Sequence, residues 1–345
     1  MLRTLERRDV TVPGNRSRRL TGLLIALFAV AGLTLASVFV GVRGISAAQV
    51  VAGLSPSVDG WDAAVVAGMR LPRTALGLLA GAALGMAGAL IQGVTRNPLA
   101  DPGILGISAG ASLGVVLASG LLGIGSLFGY VWFAFAGALA AMLVVYLVGG
   151  GGRGGATPAT LAIAGAAVSA LLFALISAVV LTDVRALEKY RFWVIGALTG
   201  IDRQTLAAVA LFLLVGAALA ASVAPALNSL ALGDDVARSL GQRIWLVRAR
   251  AVAAITLLAG GATAVCGPIA FVGLIVPHAA RAVVGPDQRW ILAYSAVLGA
   301  ALLLAADITG RVIARPDEVQ AGIVVAAVGA PFFIALVRRT RLREL

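Results

Sequence analysis

The sequence predicts an all-α bundle of about ten membrane-spanning helices, and three observations carry that reading. Hydrophobic residues make up 60% of the chain and charged residues only 12%, whereas soluble domains carry about 25% charged residues. Apolar runs of the ~20 residues that a spanning helix needs recur along the whole length. The 43 glycines would each weaken a water-soluble helix by about 1 kcal/mol relative to alanine. In a membrane bundle they are useful, because small residues let helix backbones approach closely.

The elements follow in order. Residues 1–19 form a basic arm carrying Arg3, Arg7, Arg8, Arg16, Arg18 and Arg19. The first span, 20–42, is too long for the apolar core of a signal peptide and lacks a clear small-residue cleavage site. An outside segment then runs through Arg73, and the second span, 74–95, leads into a turn-rich break at 95–102. The third and fourth spans cover 104–125 and 128–148, followed by a glycine-rich inside loop around Arg153 and a fifth span at 160–181. The outside stretch 182–203 carries Asp183, Arg185, Glu188, Lys189 and Arg191. The sixth span ends near Ala224, and a polar inside segment, 225–250, follows. Only Gly267-Pro268 separates the seventh span, 251–266, from the eighth, 269–284. The ninth covers 290–308 and the tenth 321–337, with an outside loop at 309–320 and a basic tail at 338–345. The spans from 20 to 337 thus form one transmembrane domain between two basic ends.

Net charge is +12, but the clusters flank spans, which marks topology by the positive-inside rule and not nucleic-acid binding. Both termini are expected in the cytoplasm of a bacterium, with an even number of spans across its plasma membrane. This arrangement puts 18 of the 27 basic residues inside. The outside minority includes Arg70, Arg73 and Arg311, which topology alone does not explain. The single cysteine, Cys266, permits no intrachain disulfide.

Two polar segments stand out. Residues 230–241 read as a short amphipathic helix with a glycine near each end, Gly233 and Gly241. Asp234 and Asp235 suit the positive end of its dipole, and Leu232, Val236 and Leu240 repeat every four residues as one apolar edge. An inside helix with such an edge either lies on its own membrane domain or inserts into a partner. The second segment, 97–103, combines Asn97, Pro98, Asp101 and Pro102, a turn signal.

Together with the runs Arg70-Leu71-Pro72-Arg73, Gly267-Pro268-Ile269-Ala270-Phe271-Val272-Gly273 and Gly329-Ala330-Pro331-Phe332-Phe333, these segments resemble the FecCD-type permeases. That family serves importers of iron-siderophores, haem and cobalamin. The resemblance implies a type II ABC importer permease with ten spans, paired with a second permease subunit, homo- or heterodimeric. It further implies two cytoplasmic ATPases and an extracytoplasmic substrate-binding protein, with an iron(III)-siderophore or related metal chelate as cargo. It assigns 230–241 as the coupling helix, so that Leu232, Gly233, Asp234, Asp235, Val236, Ala237, Leu240 and Gly241 meet the ATPase. Arg70, Arg73 and Arg311 become docking residues for carboxylates of the binding protein, a task that suits a planar, permanently charged guanidinium. The same resemblance puts an inner gate near Thr157 and Thr160.

Gln92 and Asn97 are candidate pathway residues; Gln92 either faces a cavity or bonds a neighbouring helix. His278, the only histidine, reads as structural, and Asp307 as a partner for Arg311 four residues on. No cofactor is expected in this chain. A Walker A loop needs Gly-Lys-Ser/Thr, and the only lysine, Lys189, lies in Leu187-Glu188-Lys189-Tyr190; ATP and Mg would be bound by the partner ATPase. One His, one Cys and no carboxylate pair deep in a span argue against an intramembrane enzyme. Scarce embedded charges argue against an ion-coupled secondary transporter.

Overall fold

The computed structural model describes residues 16–54, 60–150 and 158–341. Every regular element among them is helical: α1 (Arg16–Phe39), α2 (Ala47–Gly53), α3 (Trp61–Val65), α4 (Leu71–Thr95), α5 (Ile107–Gly120), α6 (Leu127–Gly150), α7 (Pro158–Thr182), α8 (Val184–Trp193), α9 (Arg203–Ala231), α10 (Asp234–Ser239), α11 (Ile244–Ile255), α12 (Gly261–Cys266), α13 (Val272–Val284), α14 (Gln288–Ile313) and α15 (Ala321–Arg341). Among these residues, seven helical stretches are long and apolar enough to cross a membrane, and three shorter apolar helices join them, Ile107–Gly120, Val272–Val284 and Ala321–Leu336. Together they occupy the ten segments expected from hydropathy.

Four boundaries differ from the sequence reading, each for a physical reason. The second span begins earlier: one continuous helix runs Trp61–Thr95, so Arg70 and Arg73 lie inside it and not before it. Pro72 belongs there because residues 66–70 widen into a π-turn, in which the Leu71 N–H reaches back to the Val66 carbonyl. Such bulges absorb a local mismatch in the hydrogen-bond ladder. The sixth span does not stop at Pro225; α9 continues to Ala231, since buried Leu227 and Leu230 anchor the extra turn and membrane helices tolerate proline where neighbours re-satisfy the backbone. Consequently the segment 225–250 is largely helical, and the seventh span starts at Ile244. The stretch 182–203 contains a helix of its own, α8, whose N-cap Asp183 accepts from the Arg185 and Ala186 N–H groups.

Helix α4 lies at the centre, packed along α14 and against α9, α11 and α13. Glycine makes the central contact possible. A side-chain carbon on Gly81 would overlap the Gly299 carbonyl, and one on Gly85 the Ser295 carbonyl, so α4 and α14 meet backbone to backbone. Gln92 is buried and its amide donates to the Gly273 carbonyl at 3.0 Å. That bond to α13 is one of the two roles expected of it. The break between α12 and α13 falls at the predicted Gly267-Pro268, with Gly267 and Phe271 both at positive φ. At the periphery, α1 and α7 leave most of their apolar surface uncovered.

Candidate functional site

One end of the bundle gathers the three singled-out arginines. Arg70, Arg73 and Arg311 line a common cavity of about 600 Å³. Their guanidinium groups, however, face into the protein. Arg70 donates from Nη1 to the carbonyls of Val38 at 2.9 Å and Phe39 at 3.0 Å, and from Nη2 to that of Arg43 at 2.9 Å. Arg311 donates from Nη1 to the carbonyls of Ser37 at 2.7 Å and Val40 at 2.8 Å, and from Nη2 to the Ser37 hydroxyl at 2.8 Å. These acceptors are the last carbonyls of α1 and the turn after it, which a helix leaves without internal partners. The negative end of the helix dipole also favours cations there. Two arginines therefore cap the helix.

The charges themselves converge on Asp307, whose side chain is 0% exposed. Arg73 grips it from Nε at 3.0 Å and from Nη2 at 2.7 Å, both to Oδ1. Arg311 donates to Oδ2 from Nε at 3.1 Å and also from Nη2. Arg73 reaches Glu318 with its remaining arm, Nη1 to Oε2 at 2.8 Å. A buried carboxylate between two guanidinium groups is the arrangement that makes burying these ions tolerable. The Asp307–Arg311 pairing expected from their spacing is present, while the Arg73 and Glu318 partners were missed. They lie 234 and 245 residues apart in the chain, and no periodicity links such positions.

All three arginines are already engaged within the chain. Arg311 is 2% exposed, Arg70 5%, and the Arg73 side chain 13%. Elsewhere on the cavity wall, Asp202 caps α9. It accepts from the Thr205 N–H at 2.8 Å and the Thr205 hydroxyl at 2.6 Å, which together hold its carboxyl below the ordinary carboxylate value.

The opposite end carries the 230–241 segment. Its helical core is α10, entered through Gly233 at φ 114° and left through Gly241 at φ 79°, conformations that glycine adopts without strain. Leu232, Val236 and Leu240 are exposed, at 67%, 44% and 58%, whereas Ala237 is wholly buried. The apolar edge read from the sequence faces away from the bundle. Asp234 does more than sit at a helix start: it pairs with Arg96, which follows α4, and with Arg248 of α11 at 2.9 Å. Asp235 is bonded only locally, to Arg238 at 2.8 Å. Asn97 is exposed at the end of α4, where its side chain accepts from the Leu99 N–H at 2.9 Å. Thr160 is exposed on α7; Thr157 lies outside the described residues. His278 makes an edge contact with Phe332, ring centres 5.7 Å apart.

A bundle with seven stretches long and apolar enough to cross a membrane among its described residues is a polytopic membrane protein. The profile of the FecCD transport family matches residues 26–339, and the chain belongs to that family as an ABC importer permease. It is 44% identical over 329 residues to the ferric enterobactin transport system permease protein FepD of Escherichia coli strain K12, covering 95% of this chain and 97% of the relative. It is also 40% identical to the cobalamin import system permease protein BtuC of Halobacterium salinarum, covering 81% and 75%. A solved inward-facing metal-chelate type ABC transporter superimposes with a TM-score of 0.82 at 27% identity, over 93% of this chain and 99% of that one.

Proposed function

We propose that this chain is the permease subunit of an importer that carries an iron(III)-siderophore, or a related metal chelate, into the bacterial cytoplasm. The observation that carries the reading is the 44% identity to a ferric enterobactin permease across almost the whole of both chains. In this reading both termini are cytoplasmic, so the arginine cavity opens outward and α10 faces the cytoplasm. A partner ATPase takes the edge formed by Leu232, Val236 and Leu240, and supplies the energy. An extracytoplasmic binding protein docks at the mouth, where its carboxylates compete with Glu318 for Arg73, while Arg70 and Arg311 support that arginine from behind. A second permease subunit covers α7, on which Ala162, Ala166, Ala170, Ala174 and Ala178 form an exposed ladder of small residues at every fourth position, a spacing suited to close helix contact. The Thr157–Thr160 region serves as the inner gate.

Uptake of labelled ferric siderophores, haem and cobalamin into a strain lacking this permease, with and without the chain restored, tests the cargo. Restoration of ferric siderophore uptake alone is the expected result. Restoration of only haem or cobalamin uptake moves the chain to those cargoes, and restoration of none overturns the iron(III)-siderophore assignment.

A further inference from the structure

A second cavity lies beside the mouth. It has a volume of about 310 Å³ and shares Thr199 and Gly200 with the mouth cavity. Its chemistry is unlike the rest of this apolar chain. Lys189, the only lysine, projects from α8 so that its Nζ lies 4.8 Å from the centre of the Tyr130 ring. One of its three N–H donors is taken by the Gly125 carbonyl at 2.7 Å, which leaves donors for another acceptor. Trp193 lines the same cavity and is 7% exposed. Its indole Nε1 is buried and closed to that space, so the ring forms wall and floor and not a donor. Phe192, 70% exposed, adds an aromatic face at the rim. No carboxylate is among the described residues that line the space.

A cation with free donors beside an exposed aromatic face, with no carboxylate among the described lining residues, suits one kind of ligand: a flat ring bearing negatively charged oxygens. The ring stacks on exposed Phe192, and the oxygens take the free donors of the Lys189 ammonium. A neutral, non-aromatic chelate has no use for either feature.

We infer that the cavity beside Lys189 and Phe192 is a cargo-contact site selective for anionic aromatic chelates, of the catecholate type. The inference deepens the importer reading and rests on it. Its place beside the mouth cavity puts the site where a chelate released from a docked binding protein first meets this chain.

The test is binding to the purified full-length chain in lipid nanodiscs, read by quenching of its tryptophan fluorescence. Two probes are compared, a trianionic tripodal iron(III) tris-catecholate and a neutral tripodal iron(III) tris-hydroxamate. Wild type should bind the catecholate more tightly. Lys189→Gln should weaken that binding about tenfold, while Lys189→Arg stays within about threefold of wild type, as expected for loss and retention of one charge-assisted contact. Phe192→Leu should weaken the catecholate alone. Hydroxamate binding should be unchanged in all three variants, which also reports an intact fold. Equal catecholate binding by Lys189→Gln and wild type overturns the site, as does a parallel loss for both probes or a wild type without preference. Because cell uptake is a separate readout, a chain that imports ferric chelates yet binds the catecholate equally well with and without Lys189 keeps the importer reading and loses this site.

Discussion

The two ends of the bundle use similar residues to opposite effect. At the mouth, Arg70, Arg73 and Arg311 spend their donors on α1 carbonyls, Asp307 and Glu318, and the cluster is buried. At the α10 end, Asp234 likewise joins two arginines, but the pairs stay partly solvated and the neighbouring leucines and valine remain uncovered. The first end is packed into the fold, whereas the second keeps an uncovered apolar edge. Charge by itself does not show what a residue is free to do; that depends on which of its partners already lie inside the chain.

The largest expected effect tests the buried end. Asp307→Ala leaves Arg73 and Arg311 without their shared counter-ion, and stranding buried charge costs about 3–5 kcal/mol. Little monodisperse protein should be recovered by size exclusion after detergent extraction. Near-normal recovery would mean that solvent reaches the cluster. Arg70→Met should be milder: the carbonyls of Val38, Phe39 and Arg43 lose their donor, but only the Val38 bond is fully buried, at about 1–3 kcal/mol for one buried unsatisfied group. A lower melting temperature of the extracted chain is the readout.

How much of this was legible beforehand follows from the range of each signal. The ten segments were visible because hydropathy is summed over ~20 residues and tolerates local errors. Asp307–Arg311 was visible because helical spacing is local, and so was the Leu232–Val236–Leu240 edge. The Arg73–Asp307 clamp was not, because only the packing of α4 on α14 brings those residues together. Pro225 misled for a related reason: read locally it ends a helix, yet Leu227 and Leu230 hold the next turn by tertiary contact. The π-turn at 66–70 leaves no composition signal, so Arg70 was placed before a helix that in fact contains it.

Smaller effects sharpen the contrast at the α10 end. Asp234→Asn removes two partly exposed ion pairs, each worth about 1 kcal/mol at most, and should lower the melting temperature by no more than a few degrees. A collapse like that of Asp307→Ala would erase the difference between the ends. Asp235→Ala, whose side chain is 96% exposed, should leave melting unchanged, and any clear shift would show that Asp235 contacts more than Arg238.

The most direct test is the ratio of partner ATPase to permease recovered when Val236→Glu is purified from the assembled transporter. Val236 is 44% exposed in the chain alone, so glutamate there should leave insertion and the extracted chain's melting intact. At a desolvated interface the same charge would be unpaired, costing several kcal/mol. The account predicts a monodisperse permease that has lost its ATPase. A variant that retains the ATPase at the wild-type ratio, with transport-linked hydrolysis intact, would contradict it.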